Sequence, residues 1–197
     1  MKKKIIFFFN LIYLVFLLQP SSSLEPNIFV QSTVNRASQI LSDNISKNEK
    51  IEKLKVIAKD TVDIKGIGFY TLGNYRKEID NSQREKYSEL FELYFLKSFS
   101  SRLAEYTNPQ IEVQSQEIIN ENYTIVSSIL VATSERPEVK IDWRIYTKNS
   151  EKPLIRDLII EGLSLARTQK EEFASIIESN NGDINALFSS LENFIKN

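Results

Sequence analysis

The hydrophobic period of this 197-residue chain changes twice, and the order of the periods limits the folds open to it. From Pro26 to about Ser46, apolar side chains recur at Val30, Val34, Ala37, Leu41 and Ile45. These three- and four-residue steps put them on one face of a helix. Ile51, Leu54 and Ile57 continue as a second short amphipathic helix. A third starts near Asp63 and stops at Leu72-Gly73, where glycine supplies the left-handed conformation that ends a helix. The longest is expected from a cap at Asn81 or Ser82 to about Tyr106. Its stripe of Tyr87, Leu90, Phe91, Tyr94, Phe95, Phe99 and Leu103 is rich in rings, and Arg84, Glu85, Glu89, Glu92 and Lys97 face elsewhere. After Pro109 the period becomes two. Residues 110–119, 122–133, 138–148 and 153–161 alternate in β-branched and aromatic residues between short polar turns, which predicts an antiparallel meander of four strands. In the third, Val139, Ile141, Trp143 and Ile145 share one face and Lys140, Asp142 and Arg144 the other. Helical spacing returns at Leu165, Phe173, Ile176 and Ile177, and again from Ile184 to Ile195. Helices, then sheet, then helices is the order of an α+β domain with helices packed on one face of an antiparallel four-stranded sheet.

Composition narrows the chemistry. A chain with 42% hydrophobic and 26% charged residues is in the range of globular proteins, and its length suits one domain. It has no cysteine and no histidine. That excludes disulfides, thiolate metal sites, Ser-His-Asp and Cys-His catalysis and the HExxH zinc helix. Residues 1–23 read as a secretory signal: Lys2, Lys3 and Lys4 precede an apolar run from Ile5 to Leu18, and Ser21-Ser22-Ser23 supplies small residues for cleavage. This run is 14 residues long, shorter than the roughly 20 a spanning helix requires. Residues 24–197 form the single mature domain on this reading, with 22 basic against 26 acidic residues. An acidic balance argues against nucleic acid as a partner, since phosphate neutralisation needs a basic surface.

Most motifs reduce to structure. Gly66-Ile67-Gly68 opens like a dinucleotide fingerprint, but no strand precedes it and position 71 is Thr, so helix packing is the better account. Gly162-Leu163-Ser164-Leu165-Ala166 approximates a nucleophile elbow; without histidine, Ser164 reads as a helix N-cap. Asp142, Asp157 and Glu161 could pair for acid–base work or hold a cation, although solvated strand faces explain them more simply. No catalytic residue and no metal ligand is assigned. What remains is apolar volume: five rings on the long helix facing Tyr123, Ile125, Ile129, Ile141, Trp143, Ile145, Leu158 and Ile160 of the sheet. Either these side chains fill one another's gaps as a solid core or they enclose a ligand, and the small Ser127 and Ser128 mid-strand leave room for the second.

The residues also resemble a family. Leu72-Gly73-Asn74-Tyr75-Arg76, then Gln83-Arg84 and Tyr87 opening the aromatic helix, is similar to the "LG-x-aromatic-R … QR-x-x-aromatic" segment of the MlaC/toluene-tolerance auxiliary proteins. Asp157 to Leu165, followed by Phe173 and by Asn181-Gly182-Asp183 before Leu187, resembles that family's "D-x-x-x-EG-x-S" strand-to-helix junction and terminal helix. Pro153-Leu154 stands where the family usually shows tryptophan, and the loops at Asn120 and Pro137 lack its usual glycines; both departures lie at strand edges. The resemblance implies a periplasmic phospholipid carrier, with no cofactor beyond its cargo. Its partners would be an outer-membrane lipoprotein–porin complex and an inner-membrane ABC transporter bearing an MCE-domain subunit. The apolar lipid pocket would be lined by Phe69, Tyr70 and Leu72 of the third helix, by Tyr87, Phe91, Phe95 and Phe99 of the long helix, and by Ile125, Ser127, Ile129, Ile141, Trp143, Ile145, Leu158 and Ile160 of the sheet. The alternative is an exported enzyme of the same fold class with Asp142 or Asp157 as a general base inside a similar pocket.

Overall fold

A computed structural model describes residues 24–134 and 136–197; the signal sequence expected over residues 1–23 lies outside them. Helix α1 (Pro26–Ser42) starts with proline at its first turn, where the missing N–H costs nothing, and buries Val30, Val34 and Leu41. It stops short of Ser46 because that serine begins the next helix. In α2 (Lys47–Thr61) the Ser46 side chain accepts from Glu49 N–H and the Glu49 carboxylate accepts from Ser46 N–H, a reciprocal box that also lowers the Glu49 pKa. Asp63 caps α3 (Ile64–Thr71) through Gly66 N–H. Gly73, at φ 58°, ends it and leads into a 3-10 turn over Gly73–Lys77. The long helix α4 (Asn81–Leu103) is capped one residue earlier than expected. Asp80 takes that place because Gln83 stands three residues on and closes a second reciprocal box.

The meander forms as expected: β1 (Ile111–Asn120), β2 (Tyr123–Leu130), β3 (Val139–Tyr146) and β4 (Leu154–Ile160) pair in sequence order, all antiparallel. A two-residue strand β5 (Leu163–Ser164) adds a fifth at the β4 edge. Glu161 at φ 49° and Gly162 at φ 82° make that tight reversal. Ser164 then caps α5 (Leu165–Glu178) through Arg167 N–H, as the sequence suggests. Asn181 and Gly182, both at positive φ, turn the chain into α6 (Ile184–Lys196).

The register of β2 corrects one expectation. Val126 pairs with Trp143, Ser128 with Ile141 and Thr124 with Ile145. Directly paired residues of antiparallel strands share a face, so the inward set of β2 is Thr124, Val126, Ser128 and Leu130. Ile125, Ser127 and Ile129 point the other way, opposite Arg144, Asp142 and Lys140. Both parities of β2 carry apolar residues, so alternation alone could not choose between them, and a one-residue slip turns every side chain over. The core lies between the inner sheet face and the helices. At the β4 edge, α3 and the start of α5 curl around, so that Ile67, Tyr70 and Ala166 meet outer-face residues across a cleft of about 440 Å³.

Candidate functional site

Two joined spaces lie between the sheet and the helices. The first, about 150 Å³, is roofed by Val34, Ala37 and Leu41 of α1 and by Leu54, Ile57 and Ala58 of α2, and floored by Ile141, Trp143, Ile155, Leu158 and Ile160. The polar side chains in its lining are Thr33, Ser38, Thr61 and the Tyr106 and Trp143 rings' polar ends; no charged group borders it. The hydroxyls are largely spent on local bonds. Thr33 donates to the Phe29 carbonyl, Thr61 to the Ile57 carbonyl and Ser38 to the Pro109 carbonyl. The second space, about 310 Å³, continues past Phe99, Trp143 and Leu158 toward Phe91, Tyr94 and Phe95, and ends at a polar rim of Arg102, Gln169 and Glu172.

The aromatic helix therefore does two jobs. Its N-terminal half packs solidly: Tyr87 and Phe91 are buried, their rings 5.8 Å apart, with Phe188 6.3 Å from Tyr87 and Phe173 edge-on to Phe91 at 6.2 Å. Burial pushes the Tyr87 hydroxyl well above the ordinary phenol range, and it shares a 2.8 Å hydrogen bond with Thr71. Its C-terminal half lines space. Phe95 and Phe99 stack at 5.4 Å, and Phe99 borders both lobes. Between the halves, Tyr94 donates to Gln169 at 2.7 Å, and burial, with the Glu172 charge, raises its pKa.

Against the expected lining, Phe91, Phe95, Phe99, Ile141, Trp143, Leu158 and Ile160 come together around the chamber. Tyr87, Leu72 and Ile145 are fully buried in the solid core and border neither lobe, and Phe69 packs against that core under Lys65. Ile125 and Tyr70 face the outer cleft instead, and Ser127 donates to Asp142 on the outer face of the sheet at 2.7 Å. Ile129 is on that outer face beside Lys140. These positions depart from the expected pocket because of the β2 register and because α3 buries its Leu72 end against α4. The residues missed include Tyr94 of α4, Leu130 of β2 and Ile155 of β4, and above all those of α1 and α2. Their stripe is plain in the sequence, and its small members Ala37 and Ala58 are the signal that the roof does not fill the space below it.

The carboxylates have structural partners. Asp157, 4% exposed, accepts from Ala166 N–H at 3.0 Å and Ser164 Oγ at 2.6 Å and pairs with Arg144, which pins α5 to β4. Asp142 accepts from Ser127 and pairs with Lys140, and Glu161 accepts from Lys140 N–H. Ser164 is thus a cap whose hydroxyl is committed at both ends. Among the described residues no group of three or more His, Cys, Asp or Glu could hold a metal ion, and no helix is long and apolar enough to cross a membrane.

Comparison with known proteins agrees with this architecture. A phospholipid-binding protein from Ralstonia solanacearum, solved in complex with a phospholipid, superposes with a TM-score of 0.73 at 17% identity, over 88% of this chain and 98% of that one. The likeness is one of fold. The family model described as "MlaC protein" matches residues 31–193, which takes in every helix and strand described above apart from the first turn of α1 and the end of α6. By that match the chain belongs to the MlaC family.

Proposed function

We propose that the protein is a periplasmic phospholipid carrier that holds the acyl chains of its cargo in the chamber between α1, α2, α4 and the sheet. The observation that carries this reading is the chamber's first lobe, a space between α1, α2 and the sheet whose lining contains no charged residue. Two acyl chains with on the order of 30 methylenes represent over 20 kcal/mol of hydrophobic driving force at about 0.8 kcal/mol each, so free transit through water is negligible. A carrier supplies an apolar space in its place and keeps the charged end of the lipid near solvent. Family membership and the phospholipid-bound structural neighbour support the same cargo.

On this reading residues 1–23 direct export and are removed, and residues 24–197 shuttle lipid between an outer-membrane lipoprotein–porin complex and an inner-membrane ABC transporter with an MCE-domain subunit, maintaining the asymmetry of the outer membrane. No catalytic step is assigned. A general base requires a carboxylate free to take a proton, and Asp157, which reaches the second lobe, is committed to Ser164, Ala166 and Arg144. The test is extraction and mass spectrometry of lipid copurifying with residues 24–197, followed by delipidation and exposure to phospholipid vesicles. Bound phospholipid and its reuptake are the expected results. Protein that neither carries nor takes up phospholipid refutes the carrier reading.

A further inference from the structure

A chamber for acyl chains leaves the charged end of the lipid unplaced, and two clefts beside it differ in electrostatic character. The outer-face cleft is bordered by Arg144 and Arg156, but each already faces a carboxylate: Arg156 Nε is 2.6 Å from Asp63, and Arg144 is 3.4 Å from Asp157. Arg156 also donates to Tyr123 Oη at 2.7 Å and lies 4.0 Å over the Tyr146 ring. A phosphate entering there would have to displace an acid.

The second cleft, about 810 Å³, opens at the C-terminal end of α4, with Lys97, Arg102 and Arg136 on its walls against two anionic groups among the described residues, the Glu105 side chain and the main-chain carboxylate of Asn197. Among the described residues none of the three cations is in an ion pair. Lys97 Nζ donates to the neutral carbonyls of Phe194 and Ile195 at 3.1 and 3.0 Å. The Arg136 guanidinium lies 4.8 Å over the Tyr106 ring, and its Nε is buried with no acceptor among the described residues, a cost that an incoming anion would remove. In a chain of net charge −1, three cations at one cleft, outnumbering its two carboxylates and paired with neither among the described residues, favour an anion there.

The cleft is also continuous with the chamber. Ser98 and Arg102 border both it and the second lobe, and Tyr106 borders both it and the first. Phe95, Phe99 and Arg102 follow at helical steps along α4, so the wall passes within two turns from stacked rings to a guanidinium. We propose that this cleft is the phosphate site of the cargo: Arg102 and Arg136 hold the phosphodiester, Lys97 stands beside it, and the group beyond the phosphate projects into solvent. The assignment rests on the chamber's carrying a phospholipid. Planar guanidinium forks suit phosphate oxygens, so the phosphate, rather than the alcohol esterified to it, is the recognised element. The ligand class is a diacyl glycerophospholipid of variable headgroup.

The experiment compares delipidated wild-type protein with an Arg102→Gln/Arg136→Gln variant. Each is exposed to vesicles carrying phosphatidylglycerol, phosphatidylethanolamine, or diacylglycerol with the same acyl chains, and retained lipid is measured by mass spectrometry. Wild type is expected to retain both phospholipids over diacylglycerol by at least about tenfold, as loss of a charge-assisted pair implies. The double variant should lose that preference, its retention of both phospholipids falling to the level of diacylglycerol. Should the Arg136 change impair folding, the exposed Arg102→Gln alone is expected to lower the preference severalfold. Unchanged phospholipid preference in a folded variant overturns the assignment. Wild-type protein that retains neither phospholipid nor diacylglycerol refutes the chamber reading itself, and the assignment with it. Inorganic phosphate, followed by ³¹P NMR, separates the two sources of the anion. Phosphate that binds the delipidated protein and is excluded by loading supports a lipid-phosphate site, and phosphate that binds the loaded protein equally well overturns it.

Discussion

Trp143 is the single tryptophan of the chain, 8% exposed, on the wall shared by both lobes, with its indole N–H donating to Ser128 Oγ at 2.8 Å. Its emission is therefore a direct report on the chamber and should shift to shorter wavelength when phospholipid replaces whatever fills the lobes in the delipidated protein. Identical spectra before and after loading would place the cargo elsewhere. Ser128→Ala removes the indole's acceptor in a buried site and is expected to cost about 1–3 kcal/mol, read as a fall in denaturation midpoint. The faces of β2 and β3 separate packing from cargo at single positions. Ile141→Asp puts a carboxylate into the apolar lobe and should cut lipid retention at least tenfold, because a charge there can be hydrated only when the chamber holds water. Ile129→Asp sits directly across from Lys140 on the outer face, where an acid gains a cross-strand partner, and should leave retention unchanged and stability within about 1 kcal/mol. Reversed effects at the two sites would turn the sheet over. Trp143 was legible in the sequence because Lys140, Asp142 and Arg144 mark its opposite face unambiguously. Ile129 was not, because nothing charged within β2 distinguishes Ile125 and Ile129 from Val126 and Leu130.

At the scale of elements, the helix ends were readable from side chains that satisfy orphan backbone donors, and the one-residue shift to Asp80 shows that a reciprocal Asp–Gln box outranks a nearby Asn or Ser. Gly66-Ile67-Gly68 resolves as helix packing at Gly68. A Cβ there would sit 2.8 Å from the Phe91 ring, so α3 approaches α4 as closely as it does only because the side chain is absent. Gly68→Val should push the two helices apart and cost about 1–3 kcal/mol, visible as a lower thermal midpoint. A midpoint at the wild-type value would mean that the contact is slack. The junction of β4, β5 and α5 depends on Asp157, which holds the Ala166 N–H, the Ser164 hydroxyl and Arg144 together. Asp157→Ala leaves the buried Ala166 N–H without its acceptor and takes a partner from Ser164 and from the half-exposed Arg144, and the loss is expected to be about 1–3 kcal/mol, read as a lower thermal midpoint. Such a role explains the acid in the resembling motif without invoking chemistry.

For the whole molecule, periodicity tells which side of each helix faces inward but not whether the facing sides meet. The α+β architecture was therefore legible and the chamber was not: the same stripe of Val34, Ala37, Leu41, Leu54, Ile57 and Ala58 could close onto the sheet or stand off from it. The distinction lies in summed side-chain volumes across the two layers, which close-packed interiors match to within a methylene and this interior does not. Adding volume tests this, with opposite signs at two fully buried positions. Ala58, 1% exposed, borders the first lobe; Val126, 0% exposed, faces inward from β2 but borders neither lobe. Val126→Phe must force its ring into a filled region and is expected to cost about 1–3 kcal/mol. Ala58→Phe can lay its ring in the 150 Å³ space, gaining contacts that the wild-type lining lacks, so its thermal midpoint in the delipidated state should equal or exceed wild type. The ring then takes space in the first lobe that an acyl chain would need, and phospholipid uptake from vesicles should fall sharply. Loading stabilises a protein in proportion to the logarithm of ligand over dissociation constant, so wild type should gain thermal midpoint on exposure to lipid and Ala58→Phe should not. A destabilised Ala58→Phe protein that still takes up phospholipid would mean that α2 closes solidly on the sheet in solution and that the cargo enters by another face.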